Sequence, residues 1–173
     1  MNRRSPRASR AHRVFAAPAL AAAIAFAPPV SAEPANGVVT QSGRTATIRH
    51  AWPVVGPDAI APKTTIRRLV FSATDIGAKI RACARMSCVD GSVEEGMTVD
   101  LDAGPRIAFW VALNGQRVQH SGTEKPAALA ATASDGKRVA GRLAFDHSSS
   151  RGPKVDVQFD APHPLAAQRR PLL

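Results

Sequence analysis

The chain has 173 residues, with 23 lysines and arginines against 13 aspartates and glutamates, two cysteines and no tyrosine, for a formal charge of +10. That length allows one domain with one core and leaves no room for two comfortable ones. The charge invites a nucleic-acid reading, and its distribution removes it.

Arg3, Arg4, Arg7, Arg10 and Arg13 crowd the start with no acid among them, and "VFAAPALAAAIAFA", residues 14–27, is apolar throughout. Charge followed by an apolar run is the order of a secretory signal. The run is shorter than the roughly 20 residues a membrane-spanning helix needs, and Pro18 interrupts it. Val30-Ser31-Ala32 puts small residues where a signal peptidase reads, so residues 1–32 are expected to be a signal peptide cleaved before Glu33. The expected location is periplasmic or secreted, with no membrane span after cleavage. Five arginines leave with the signal, so 18 basic residues face 13 acidic ones and the charge falls to +5. The remaining basic residues are scattered, without the single basic face that nucleic acid requires.

Residues 33–44, "EPANGVVTQSGR", are turn-rich and read as a flexible arm or edge strand. The β-rich domain is expected over 45–162. "TATIRHAW" alternates, placing Ala46, Ile48, His50 and Trp52 on one face of a strand that Pro53 should end. A loop over 53–63 leads to a strand at "TTIRRLVFSA". Thr74 or Asp75 can then cap one short helix over "IGAKIRACARM". "MTVDLDA" turns Met97, Val99 and Leu101 inward, leaving Asp100 and Asp102 on the polar face as ordinary solvated carboxylates. In "RIAFWVAL-NG-QRVQHSG" the Asn-Gly pair predicts a two-residue hairpin turn, which would set Val111 opposite Val118 and Phe109 opposite His120. "PAALAATAS", "KRVAGRLAF" and "KVDVQFDA" complete the strands. Matching inward positions puts Arg138 and Arg142 on the same outer face as Asp156 and Asp160. The fold class is mainly β, an antiparallel β-sandwich or partly open barrel with one short helix. Residues 163–173 form a C-terminal tail.

Cys83 and Cys88 lie five positions apart in "ACARMSC", which is neither a CxxC redox motif nor half of a four-ligand zinc site. In an oxidising compartment two cysteines normally pair, and the alternatives are free buried thiols or a metal or catalytic thiol. An unbroken helix would hold their Cα atoms roughly 8 to 9 Å apart, beyond the ~7 Å limit of a disulfide. If they pair, the helix must end between them.

Chemistry-bearing residues are sparse. No two histidines have metal spacing, and neither a metal nor a cofactor is expected. "DHSSS", residues 146–150, holds Asp, His and Ser side by side on one loop. A triad needs them to converge from separate rigid elements. His147 and His163 are expected in solvent, and His120 to pack near Phe109. His50 lies on an apolar face and reads as a core histidine held by one buried partner.

The stretches "IRRLVFSATDIGAKIRACARMSCVDGSVEEGMTVDLDAGPRIAFWVALNGQRVQHSGTE" and "DGKRVAGRLAFDHSSSRGPKVDVQFDAP" resemble a group of small exported proteins of Gram-negative bacteria, in which a "HAW" or "HAY" strand opens the domain and "DGKRVAGRL" and "VDVQFDAP" close it. The likeness covers most of residues 45–162. It implies a secreted β-domain and carries over no site. After Ala161-Pro162 this chain departs, since "HPLAAQRRPLL" does not read as a continuing strand. Two functional classes stand. The leading one is a non-enzymatic binding or interaction domain whose partner is another periplasmic or cell-envelope protein. The alternative is a small-molecule carrier or enzyme with a site assembled near the first strand from Arg49, His50 and Trp52.

Overall fold

Alternation of apolar and polar residues carries the described residues through ten strands, with an α-helical excursion after the third. The structure, a computed structural model, describes residues 33–58, 60–115, 120–134, 138–162 and 165–166. The expected signal peptide and most of the C-terminal tail lie outside the described residues. The strands are β1 (Glu33–Gln41), β2 (Arg44–Pro57), β3 (Thr65–Ser72), β4 (Gly96–Asp100), β5 (Ile107–Ala112), β6 (His120–Glu124), β7 (Leu129–Ser134), β8 (Arg138–Asp146), β9 (Lys154–Pro162) and β10 (Leu165–Ala166). Nine of them pair in the order β6-β5-β4-β3-β2-β1-β9-β8-β7, antiparallel throughout, in a sheet that curls into a half-barrel. The two-residue β10 runs parallel to β2 at Val54 and Val55. The partly open barrel expected from sequence is therefore the observed fold.

Two helices stand where one was expected: α1 (Gly77–Ala82) and α2 (Met86–Asp90). Cys83 and Arg85, between them, have extended backbone. The curl makes the sheet two-sided. Ile48, Leu69, Phe71, Val99, Phe109, Leu143 and Val157 come from strands far apart in the sheet order and meet in one cluster, which must therefore fill the concave side. A second cluster on the convex side joins Trp52, Val54 and Val70 to Ile80, Met86 and Val89 of the helical segment.

The structure corrects several sequence expectations. Residues 33–41 form an interior strand paired with both β2 and β9. What read as a turn signal in Gly37 is a close crossing, because a Cβ there would lie 2.1 Å from the Asp156 carbonyl oxygen. The β1–β2 register shifts between Pro34 and Gly37. Only two residues separate Ile48 from Ala51, yet both are in the concave core. The alternation breaks there, so His50 and Trp52 leave the face of Ala46 and Ile48 for the convex side. β2 also continues past Pro53. Its ladder with β1 ends at Ala51, so a residue without an N–H stands where that partner has already gone.

The Asn-Gly turn is present, with φ of 57° at Asn114 and 70° at Gly115. The strand pairing, however, sets Val111 opposite His120 and Phe109 opposite Gly122, two residues beyond the register of a two-residue loop. The Gly115 N–H donates to the Glu94 carbonyl at 3.0 Å, so the turn docks on the segment before β4. A slip of two preserves the face, and Phe109 and Val111 remain in the concave core. The intervening residues 116–119 lie outside the described residues.

Candidate functional site

Arg49, His50 and Trp52 lie within four residues of one another on β2 and do not converge. Arg49 is exposed and His50 half-buried, while Trp52 is only 3% exposed. The His50 and Trp52 rings stack with centroids 5.5 Å apart and planes 18° from parallel. Stacking on buried Trp52 holds His50, while His50 Nδ1 and Trp52 Nε1 are both buried without a hydrogen-bond partner. Gly77, at the start of α1, closes over the indole so tightly that a Cβ there would lie 3.0 Å from Nε1. The space in front of the Trp52 indole is filled by protein.

Cys83 and Cys88 form a disulfide with Cα atoms 5.5 Å apart, and the break between α1 and α2 falls between them, as the geometry demanded. It fixes α2 over the convex face, where sequence reasoning missed a buried ion network. Arg68 donates from Nη1 to Asp90 Oδ1 at 2.5 Å and from Nη2 to Asp100 Oδ2 at 3.1 Å, and its guanidinium lies 5.0 Å from the Trp110 ring centroid. Arg68 and Asp100 are each 7% exposed, so Asp100 is not the solvated carboxylate expected. Burial pushes the Asp90 carboxyl above its ordinary range, and Arg68 works against that rise. Asp102 does lie at the surface, where the Arg67 guanidinium beside it holds its carboxyl below the usual range.

At the seam of the half-barrel, β6 meets the loop after β8. His147 Nε2 is 2.6 Å from Glu124 Oε2, with the Phe145 ring 5.1 Å and the Phe109 ring 5.9 Å from the imidazole. His147 is therefore a packing residue and not a solvated one. His120 stacks on Phe109 with centroids 6.1 Å apart, as the packing expectation had it. The Lys125 N–H, then His147, hold Glu124 below its usual range. "DHSSS" forms no relay, because Ser148 donates both its hydroxyl and its N–H to Asp146 while His147 turns toward Glu124. Among the described residues no group of three or more His, Cys, Asp or Glu side chains is arranged to hold a metal.

The two edges of the sheet differ. Along β6, Arg106 donates to the Thr123 hydroxyl at 2.8 Å and to the Thr123 carbonyl at 3.2 Å, and His147 occupies Glu124. Among the described residues β7 pairs with β8 alone, and its sequence "LAATAS" has no charge and no proline. A hollow of roughly 570 Å³ starts at Ala130 and Thr132 of β7 and runs over Arg142 of β8 and Gln158 of β9 to Asn36 of β1. Arg138 and Arg142 pair with Asp160 and Asp156 along this outer face, as the strand pattern predicted. Small residues beside an unguarded strand edge are what an extended peptide requires.

These features define a disulfide-clipped antiparallel half-barrel with one guarded and one open edge. Comparison of the chain with protein-family models, curated proteins and solved structures finds no match. No helix of the described residues is long and apolar enough to cross a membrane.

Proposed function

We propose that the protein is an exported, non-enzymatic binding domain of the bacterial cell envelope, and that it takes an extended segment of a partner protein along the free edge of β7. The observation that carries this reading is the contrast at the sheet's ends: β6 carries charged side chains and bonds from Arg106 and His147, whereas β7 is uncharged and borders a hollow. Main-chain hydrogen bonds to such an edge supply affinity, and side-chain pockets beside it supply specificity. The register of β7 on β8 shifts between Ala131 and Ala133. A bulge of this kind bends the strand, so the partner pairs with Leu129–Ala131 and places its next side chains in the hollow. Export rests on the arginine-then-apolar order of the first 32 residues and on the resemblance to small secreted proteins.

A photocrosslinking residue at Thr132 should capture an envelope protein in living cells, and the same residue at Thr123 should not. Ala131→Lys, which charges the edge, should abolish that capture while leaving the melting temperature nearly unchanged. Equal capture from both edges, or capture indifferent to A131K, sinks the reading. The exported chain should have the mass of residues 33–173, and an intact Met1 would remove the envelope from the proposal.

A further inference from the structure

We propose that a second hollow, between the β1–β2 turn and the loop joining β8 to β9, binds a small polyhydroxylated anion, a sugar phosphate or a sugar acid. This site is distinct from the β7 edge. It measures roughly 450 Å³, and Gln41, Ser42, Ser148, Arg151 and Lys154 line it.

Three observations converge there. Gln41 is 6% exposed, and its Oε1 has no hydrogen-bond partner. A buried carboxamide oxygen left unsatisfied lowers stability and gives the fold nothing in return, so it calls for a partner from outside. The terminal torsion of glutamine is soft, and a small rotation offers either the oxygen or the amide N–H₂ to the hollow that Gln41 borders. Arg151 has φ of 61°, in the left-handed region that a residue with a Cβ disfavours. Glycine would serve the turn better. The arginine makes no side-chain hydrogen bond or ion pair among the described residues, so its guanidinium does nothing for the loop that strains to carry it. Such strain gathers at functional sites.

The third observation is the charge balance. Lys154 Nζ is 3.3 Å from Asp146 Oδ2, while the Ser148 hydroxyl and N–H both donate to the other oxygen, Oδ1. Lys154 is thus paired, and the Arg151 guanidinium is left without a counter-ion among the described residues, which favours an anion. Ser148 spends its proton on Asp146 and keeps its oxygen lone pairs to accept. Ser42 and the Gln41 amide can donate or accept. A bare oxyanion would use only the cations, whereas an oxyanion carrying several hydroxyls uses the whole lining.

Calorimetric titration of the mature protein with glucose 6-phosphate, glucuronate, glucose and inorganic phosphate tests the proposal. Either or both sugar anions should bind, at least about tenfold more tightly than glucose or inorganic phosphate, that is by ~1.4 kcal/mol or more. Arg151→Gly relieves the backbone, and Gln41→Leu removes the orphaned oxygen. Both variants should melt no lower than the parent and yet bind the sugar anion roughly tenfold more weakly or worse. A purely structural role would move the melting temperature and not the affinity. No heat from either sugar anion at about 10 mM overturns the site, since that corresponds to weaker than ~3 kcal/mol of binding. Inorganic phosphate binding as tightly as glucose 6-phosphate overturns the polyhydroxylated ligand, and variants that bind like the parent overturn the residue assignment.

Discussion

The two faces of strands β2 to β5 are both buried, and they are buried by opposite means. On the concave side, side chains from β1 to β5, β8 and β9 interlock with no buried charge among them, and the pairing of β1 with β9 ties the two ends of the domain together. On the convex side one local segment, Ile76 to Val93, supplies the cover. Its two helices have six and five residues; the Asp75 carboxylate accepts the Gly77 N–H at the start of α1, and α2 has no side-chain cap. Helices that short are not stable alone in water, so the cover needs fasteners: the disulfide, and the bond from Asp90 to Arg68. The concave face is held by topology and the convex face by attachments.

Breaking each side should therefore give different failures. Phe71 is fully buried on the concave face and meets Phe159 edge-on at 5.3 Å. Phe71→Ala should cost about 3 to 5 kcal/mol, the largest effect anticipated. The loss should appear as one cooperative transition at a lower urea midpoint with an unchanged slope. Two separate transitions would show that the faces unfold independently and would undo the idea of a single topological core.

Arg68→Ala attacks the convex fasteners and leaves Asp100 buried without its partner. Removing one member of a buried pair costs about 3 kcal/mol or more. Asp90 gives this loss a sign in pH. Its carboxyl is already raised by burial, and removing Arg68 takes away what holds it down. A carboxyl with a folded-state pKa above its unfolded value of ~3.9 binds more protons when folded, so stability falls as pH rises through that window. Arg68→Ala should thus be more damaging at about pH 7 than at about pH 4. A penalty equal at both would remove the carboxylates from the explanation.

The half-barrel was legible in the sequence because its strands alternate and its turns are marked, and because paired faces constrain even the ion pairs Arg138–Asp160 and Arg142–Asp156. What escaped were features set by partners distant in sequence. No local pattern says that β1 will be clamped between β2 and β9, or that β2 will change faces after Ile48. Asp100 reads as solvated by alternation alone, and is buried because a helix lands on the polar side of its strand. Likewise His147 looked like a loop residue until β6 brought Glu124 beside it. That β7 would be an edge was not legible in "PAALAATAS", because only the sheet order shows that no other described strand pairs with it.

The smallest of the three effects should come from the disulfide, and it sharpens the comparison most. Closing the short loop from Cys83 to Cys88 removes about 2 kcal/mol of unfolded-chain entropy by the loop-length rule. Cys83 is buried with Ile80 and Met86 beneath the cover, so replacing both cysteines by alanine leaves that packing nearly intact while releasing the tie between α1 and α2. Amide exchange should then quicken over Gly77–Asp90 and stay slow at Phe71, Val99 and Phe109, because the concave core does not depend on the tie. Thiol titration of the denatured, unreduced parent should find no free sulfhydryl. If exchange instead quickened equally on both faces, the convex cover would be an integral part of the core rather than an attachment to it.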